Sequence, residues 1–287
     1  VADGNSLINL GDLSKPATVL IEKVSAAVGI VYEPHRVKRM ARAEAEAEKI
    51  KALARIELSE IENRAIERFV SQEARKQENI ERITAQAAES LPPDADVQAL
   101  EEDWVAHFFK HCDTVSDKEM QTLWSRLLSG EATKPGTYSK RTVEFISTMD
   151  KGDAELFTKL CTFVWMIGSP TLIISDVDHD IYQKNGITFN ALKHLDSIGL
   201  ISFESMSGYS RLKIPKHCTL FYYGRPIRLE FQLDENNLPI GKALLTNIGQ
   251  ELVSLCGSSS SSEFYDYVLD TWHAQGIILS TPVVQKG

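Results

Sequence analysis

Two short stretches gather side chains able to grip a cation. In 107–112, HFFKHC, His107 and His111 stand one helical turn apart, so their rings share a helix face and can hold zinc. In 175–180, SDVDHD, the side chains of Asp176, Asp178, His179 and Asp180 crowd together, and carboxylate oxygens in such a group can bind a divalent ion. Neither stretch completes a ligand set by spacing alone. The first shows no third or fourth ligand and no HExxH glutamate, and the second lacks the glycine and distal glutamate of a calcium loop. The expectation is histidines packed at a helix boundary and a solvated turn, with no metal and no cofactor.

Other chemistry is thinly represented. The sequence carries no Walker loop, no GxGxxG and no GxSxG, so it offers no phosphate cradle and no nucleophile elbow. Enzyme activity therefore has no support from motifs. The four cysteines, Cys112, Cys161, Cys218 and Cys256, form no CxxC and sit in or beside apolar runs, as buried free thiols of a reducing cytosol do. The opening residues do not read as a secretory signal, and no run nears the roughly 18 apolar residues of a spanning helix. A cytoplasmic location is expected, with membrane-surface attachment as an addition.

Charge bears on partners. A net charge of -9 opposes general binding to a phosphate backbone. A C-terminal module resembling a winged helix would read DNA through residues 188–198, where Lys193 is the main cation, with Lys213 and Arg228 as phosphate clamps. With so few cations, protein packing is the expected use of that module, and nucleic acid is not an expected partner. Near the start, an apolar helix over 17–32 precedes Pro34 and a basic cluster of Arg36, Lys38, Arg39 and Arg42, an order that surface-bound membrane anchors share.

The elements that must position these groups are mostly helices. From 36 to about 90 there is no Gly or Pro, and Ala, Glu, Lys and Arg dominate. Its apolar residues, among them Ile50, Leu53, Leu58, Ile61, Ile66 and Phe69, keep no strict heptad, so a regular coiled coil is not indicated. Their burial against further copies of the chain is the expected way to hold so long a helix. Leu91-Pro92-Pro93 ends it. Helices are predicted over 96–112, 117–129, 139–149 and 153–167, with Ser116 and Glu119 as a capping box and Gly130 as a stop. Trp104, Phe108 and Phe109 should meet Leu123, Trp124 and Leu127. Beyond 169 the residues become richer in β-formers, with alternation in 227–233, a helix capped by Thr188, and a final amphipathic helix after five serines.

The sequence thus predicts a mainly α protein: a long N-terminal helix, a helical core and a C-terminal α+β winged-helix-like module. The expected segments are 1–35 (lead-in and apolar helix), 36–91 (oligomerisation helix), 92–168 (helical core), 169–257 (winged-helix-like module) and 258–287 (linker and last helix).

RKQENIERI at 75–83, Asp103-Trp104, and LWSRLLSGE followed by PG, SKRTVEFIS and DAELF resemble the uncharacterised bacterial family called domain of unknown function 2806. LKHLDSIGLI and LTNIGQEL extend the likeness over most of the chain. The tryptophan-led helix, its successor and DAELF also look like the abortive-infection alpha proteins linked to phage defence. Neither resemblance supplies catalytic residues. Together they imply a helical, oligomeric, intracellular bacterial protein, with a partner in a defence system. The expected function is a non-enzymatic oligomerising scaffold or effector, set against a nucleic-acid-binding regulator and a metal-dependent enzyme.

Overall fold

A computed structural model describes residues 14–29 and 60–281. The chain divides into two compact units, Val1–Ser147 and Thr148–Gly287.

The first unit is helical. Helix α1 (Lys15–Val28) is capped by Ser14, has Pro16 in its first turn, and ends at Gly29 in the left-handed region. Its apolar side (Ala17, Leu20, Ile21, Val24) is buried, packed against α2 (Glu60–Glu89) and α3 (Glu102–Cys112). Helix α4 (Lys118–Thr133) lies along α2, and α5 (Lys140–Ser147) along α3. The N-cap of α4 is Asp117, which accepts from the Glu119 and Met120 amides, in place of the expected Ser116. Gly130 does not stop α4 but lies inside it, where a Cβ would meet the Tyr138 ring at 2.7 Å. The turn that follows is held by Glu131, buried, whose carboxylate accepts from the Gly136 and Tyr138 amides at 2.6 and 2.8 Å. The Trp104 indole donates to the Tyr138 carbonyl at 2.9 Å. The motif LLSGE with PG and Tyr138 is thus a folding device that fixes the turn between α4 and α5 and ties it to α3.

The core of this unit draws on residues well upstream of Leu91. Ile83, Ala87 and Ala88 of α2 are buried. Asn79 is buried too, donating to the Asp113 carbonyl at 2.9 Å and accepting from Gln121 at 3.0 Å. Phe108 meets Trp124 edge-on at 5.2 Å, so the aromatic meeting of α3 and α4 is as the apolar periodicity predicts.

The second unit mixes helix and sheet. Helix α6 (Lys151–Cys161) opens on a capping box formed by Asp150 and Asp153. Strands β1 (Val164–Ile167) and β2 (Ser169–Leu172) follow, then helices α7 (Asp180–Gln183) and α8 (Phe189–Ser197). Strands β3 (Ile201–Phe203), β4 (Tyr209–Ile214), β5 (His217–Tyr222), β6 (Arg225–Glu230), β7 (Asn236–Gly241) and β8 (Ala243–Leu245) come next. Helices α9 (Asn247–Leu252) and α10 (Ser262–Ala274) precede β9 (Ile278–Ser280). The main sheet has the order β2-β1-β5-β6-β9 and is antiparallel throughout. Two further pairs, β3-β8 and β4-β7, are also antiparallel.

This arrangement corrects the expected mainly α chain ending in a winged-helix-like module. The β5-β6 hairpin lies inside a five-stranded sheet, bounded by strands from 164–172 and 278–280, and is not a terminal wing. The segment 153–167 is not one helix: it ends at Cys161, and Val164–Ile167 folds back on Ser169–Leu172 through Gly168, whose φ is 72°. A run of large apolar residues satisfies helical and strand burial alike, and here the β-branched and aromatic content with a left-handed glycine decides for strand. Trp165 on β1 then centres the core, stacked on Tyr265 at 5.5 Å and edge-on to Trp272 at 5.0 Å, both from α10.

Candidate functional site

His107 and His111 lie on the last turns of α3, with ring centroids 4.7 Å apart. From α5, Glu144 brings Oε1 to 3.6 Å from His107 Nε2. The donor atoms of His107, His111 and Glu144 all lie within 4.8 Å of one another, the only such set of three among the described residues. His107 Nε2 is buried and makes no hydrogen bond among the described residues, since 3.6 Å is beyond hydrogen-bonding reach. The carbonyl end of α3 adds a negative partial charge beside the cluster. Cys112 points elsewhere, into the core, where burial pushes its thiol well up.

Glu144 was not legible as a ligand. It sits in a different helix, and no local spacing rule ties TVEFI to HFFKHC. The fold joins them because Val143 and Ile146 bury the core side of α5, which carries Glu144 toward α3. Packing, not motif, assembles this cluster.

The second candidate stretch is organised otherwise. Asp176 accepts from the Asp178 amide at 3.1 Å, and His179 caps α7 by accepting the Ile181 amide on Nδ1 at 3.2 Å. Its ring stands against Tyr267 at 4.4 Å. Asp176 and His179 thus serve turn and cap, while Asp178 and Asp180 are exposed.

A third grouping pairs Cys161 with Cys256, each thiol shifting the pKa of the other. Burial pushes the Cys161 thiol well up. The Cys161 thiol, with the Ser258 hydroxyl and amide, holds Cys256 down to about 6. The Val253 carbonyl, 3.1 Å from Cys256 Sγ, accepts from the thiol and favours that form.

The apolar residues of the long helix divide. Ile50, Leu53 and Leu58 lie outside the described residues, as do the membrane-surface candidates Arg36, Lys38, Arg39 and Arg42. Ile61, Ile66, Phe69 and Val70 lie on α2 and are exposed, Ile61 by 71% and Phe69 by 63%. Each stands eighteen positions before Asn79, Thr84, Ala87 and Ala88 respectively (61 to 79, 66 to 84, 69 to 87, 70 to 88). Eighteen residues make five turns of about 3.6 residues, so these side chains continue the face that the end of α2 buries. That face runs past its own core uncovered by any described residue.

The nucleic-acid candidates are spread over α8, β4 and β6. Lys193 is paired with Asp196 at 3.0 Å. Lys213 and Arg228 lie on strands of different sheets.

A helical unit followed by an antiparallel α+β unit, with a His-His-Glu cluster in the first and an apolar helix face left open, defines a two-part α and α+β protein. No described helix is long and apolar enough to cross a membrane. The chain belongs to the family described as protein of unknown function (DUF2806), whose model matches residues 63–269. No curated protein and no solved structure matches it. The family match does not extend to the abortive-infection alpha proteins.

Proposed function

We propose that the chain is a non-enzymatic scaffold or effector that works as an assembly of its own copies, joined through α2. The observation that carries this reading is the open apolar face of Ile61, Ile66, Phe69 and Val70, continuous with the buried face of the same helix. Fully burying such residues stabilises by about 1.5–3 kcal/mol each, enough to reward association.

A second copy is the occupant that the charges favour. Between 60 and 76, α2 carries Glu60, Glu62, Glu67 and Glu73 against Arg64, Arg68, Arg75 and Lys76. A helix with balanced, interspersed signs beside its apolar stripe is complementary to itself, whereas a partner of one charge sign would meet repulsion. Within this reading the assembly serves a bacterial antiphage system, on the strength of the abortive-infection likeness alone. Arg36, Lys38, Arg39 and Arg42 would face an anionic membrane surface if the assembly docks on one.

Sedimentation velocity on the full chain and on the double variant Ile66→Glu/Phe69→Glu tests the reading. Both positions are solvent-exposed in a single copy, so the variant should keep a cooperative unfolding transition while losing the faster-sedimenting species and the part of the melting temperature that assembly supplies. Equal sedimentation of parent and variant would count against α2 as the joint.

A further inference from the structure

We infer that His107, His111 and Glu144 form a binding site for a divalent transition metal of the zinc class, with two imidazole nitrogens and one carboxylate as ligands.

Geometry is the first support. Around a tetrahedral zinc with bonds of about 2.0–2.1 Å, donor atoms stand about 3.3 Å apart. His107 Nε2 and Glu144 Oε1 are already 3.6 Å apart, and no donor atom of the three is more than 4.8 Å from another. The Glu144 side chain is 61% exposed, so it can swing the remaining distance without moving the core. The histidines, at i and i+4, share one helix face, with ring centroids 4.7 Å apart.

The second support is a polar atom without a partner. His107 Nε2 is shielded from solvent and hydrogen-bonded to no described residue, yet it faces the Glu144 carboxylate. Metal coordination satisfies that nitrogen. The alternative, a bare imidazolium–carboxylate pair, leaves it beyond hydrogen-bond length.

The ligand chemistry narrows the ion. Calcium and magnesium call for shells of oxygen, which two imidazoles do not supply. Imidazole with a carboxylate suits zinc, copper and nickel, and zinc accepts the three-ligand form with an open fourth position. The C-terminal end of α3 favours positive charge at this place. That open position would hold water or a donor from a bound molecule. This inference stands apart from self-association, because the cluster is complete within one chain.

The test uses the full chain, stripped with a chelator and then titrated with zinc by calorimetry and with cobalt by visible absorption. The expected result is one zinc per chain, and cobalt bands of a four- or five-coordinate nitrogen and oxygen site that zinc displaces. Glu144→Gln and His111→Gln should each weaken zinc binding by at least about tenfold, since even outer-shell partners of metal ligands carry that much. Glu144 is exposed, so its variant should keep the parent's circular dichroism and melting point without metal. Zinc should then raise the melting temperature of the parent and leave the Glu144→Gln/His111→Gln double variant unmoved. Absence of micromolar zinc binding would overturn the site, as would undiminished binding by the double variant. Thiolate-to-cobalt charge transfer in the near ultraviolet would overturn it too, placing the ion on cysteines instead.

Discussion

Trp124 has no exposed surface and meets Phe108 edge-on at 5.2 Å, so its indole fills space that no neighbour can reclaim. Trp124→Ala should cost about 3–5 kcal/mol, read from thermal or denaturant unfolding. This residue was legible because its spacing with Met120, Leu127 and Leu128 marks one helix face. Cys256 was not, since its behaviour depends on Cys161 and Ser258, brought to it only by the fold. With its pKa held at about 6 against the ordinary value near 8.5, Cys256 is mostly thiolate at neutral pH. Alkylation of Cys256 by iodoacetamide, followed by peptide mass spectrometry, should therefore rise with pH about a midpoint near 6. Cys161→Ala removes the donor that contributes most to this depression, so the midpoint should move up toward that of a free thiol. The same contrast governs the metal cluster, where the His107 and His111 spacing is visible in one line of sequence and Glu144 is supplied by packing.

Elements were readable where one signal dominated. Thr188 accepts the Ala191 amide at the start of α8, as capping chemistry predicts, whereas Ser261, in a serine run that reads as a linker, caps α10 by accepting the Phe264 amide. Reading failed where burial on both faces erased periodicity. Val164–Ile167, buried at three of four positions, carries no alternation to separate strand from helix. Strand pairing between distant segments is likewise invisible locally: β9 joins β6 by registering Leu279 with Leu229. At Gly241 the fold makes a demand that sequence does not announce. Its φ is 101°, and a Cβ there would lie 1.9 Å from the Ile174 carbonyl oxygen, at the bridge where Ile174 meets this strand. Gly241→Ala should destabilise by at least about 1–3 kcal/mol, by displacing that backbone. Gly168→Ala offers the control. Its φ of 72° is left-handed too, but its Cβ would meet open space, so only the conformational cost of about 1–2 kcal/mol applies. Urea midpoints of the two variants should fall in that order.

Helix α2 spans a buried and an open environment along one face. Its last turns belong to the helical core through Asn79, Ile83 and Ala87, while its first turns carry the same face into solvent with Ile61, Ile66 and Phe69. The exposed ion pairs along it, Glu60–Arg64 and Glu78–Arg82, are the modest i,i+4 kind and do not by themselves hold a long helix. Composition made the need for burial legible, because an Ala/Glu/Lys/Arg helix with scattered large apolar residues must place them somewhere. Native mass is the direct measurement. Light scattering of the full chain at micromolar concentration should give a multiple of 32.1 kDa, falling toward one copy on dilution or in Ile66→Glu/Phe69→Glu. A mass of 32.1 kDa for the unaltered chain at every micromolar concentration would contradict self-assembly.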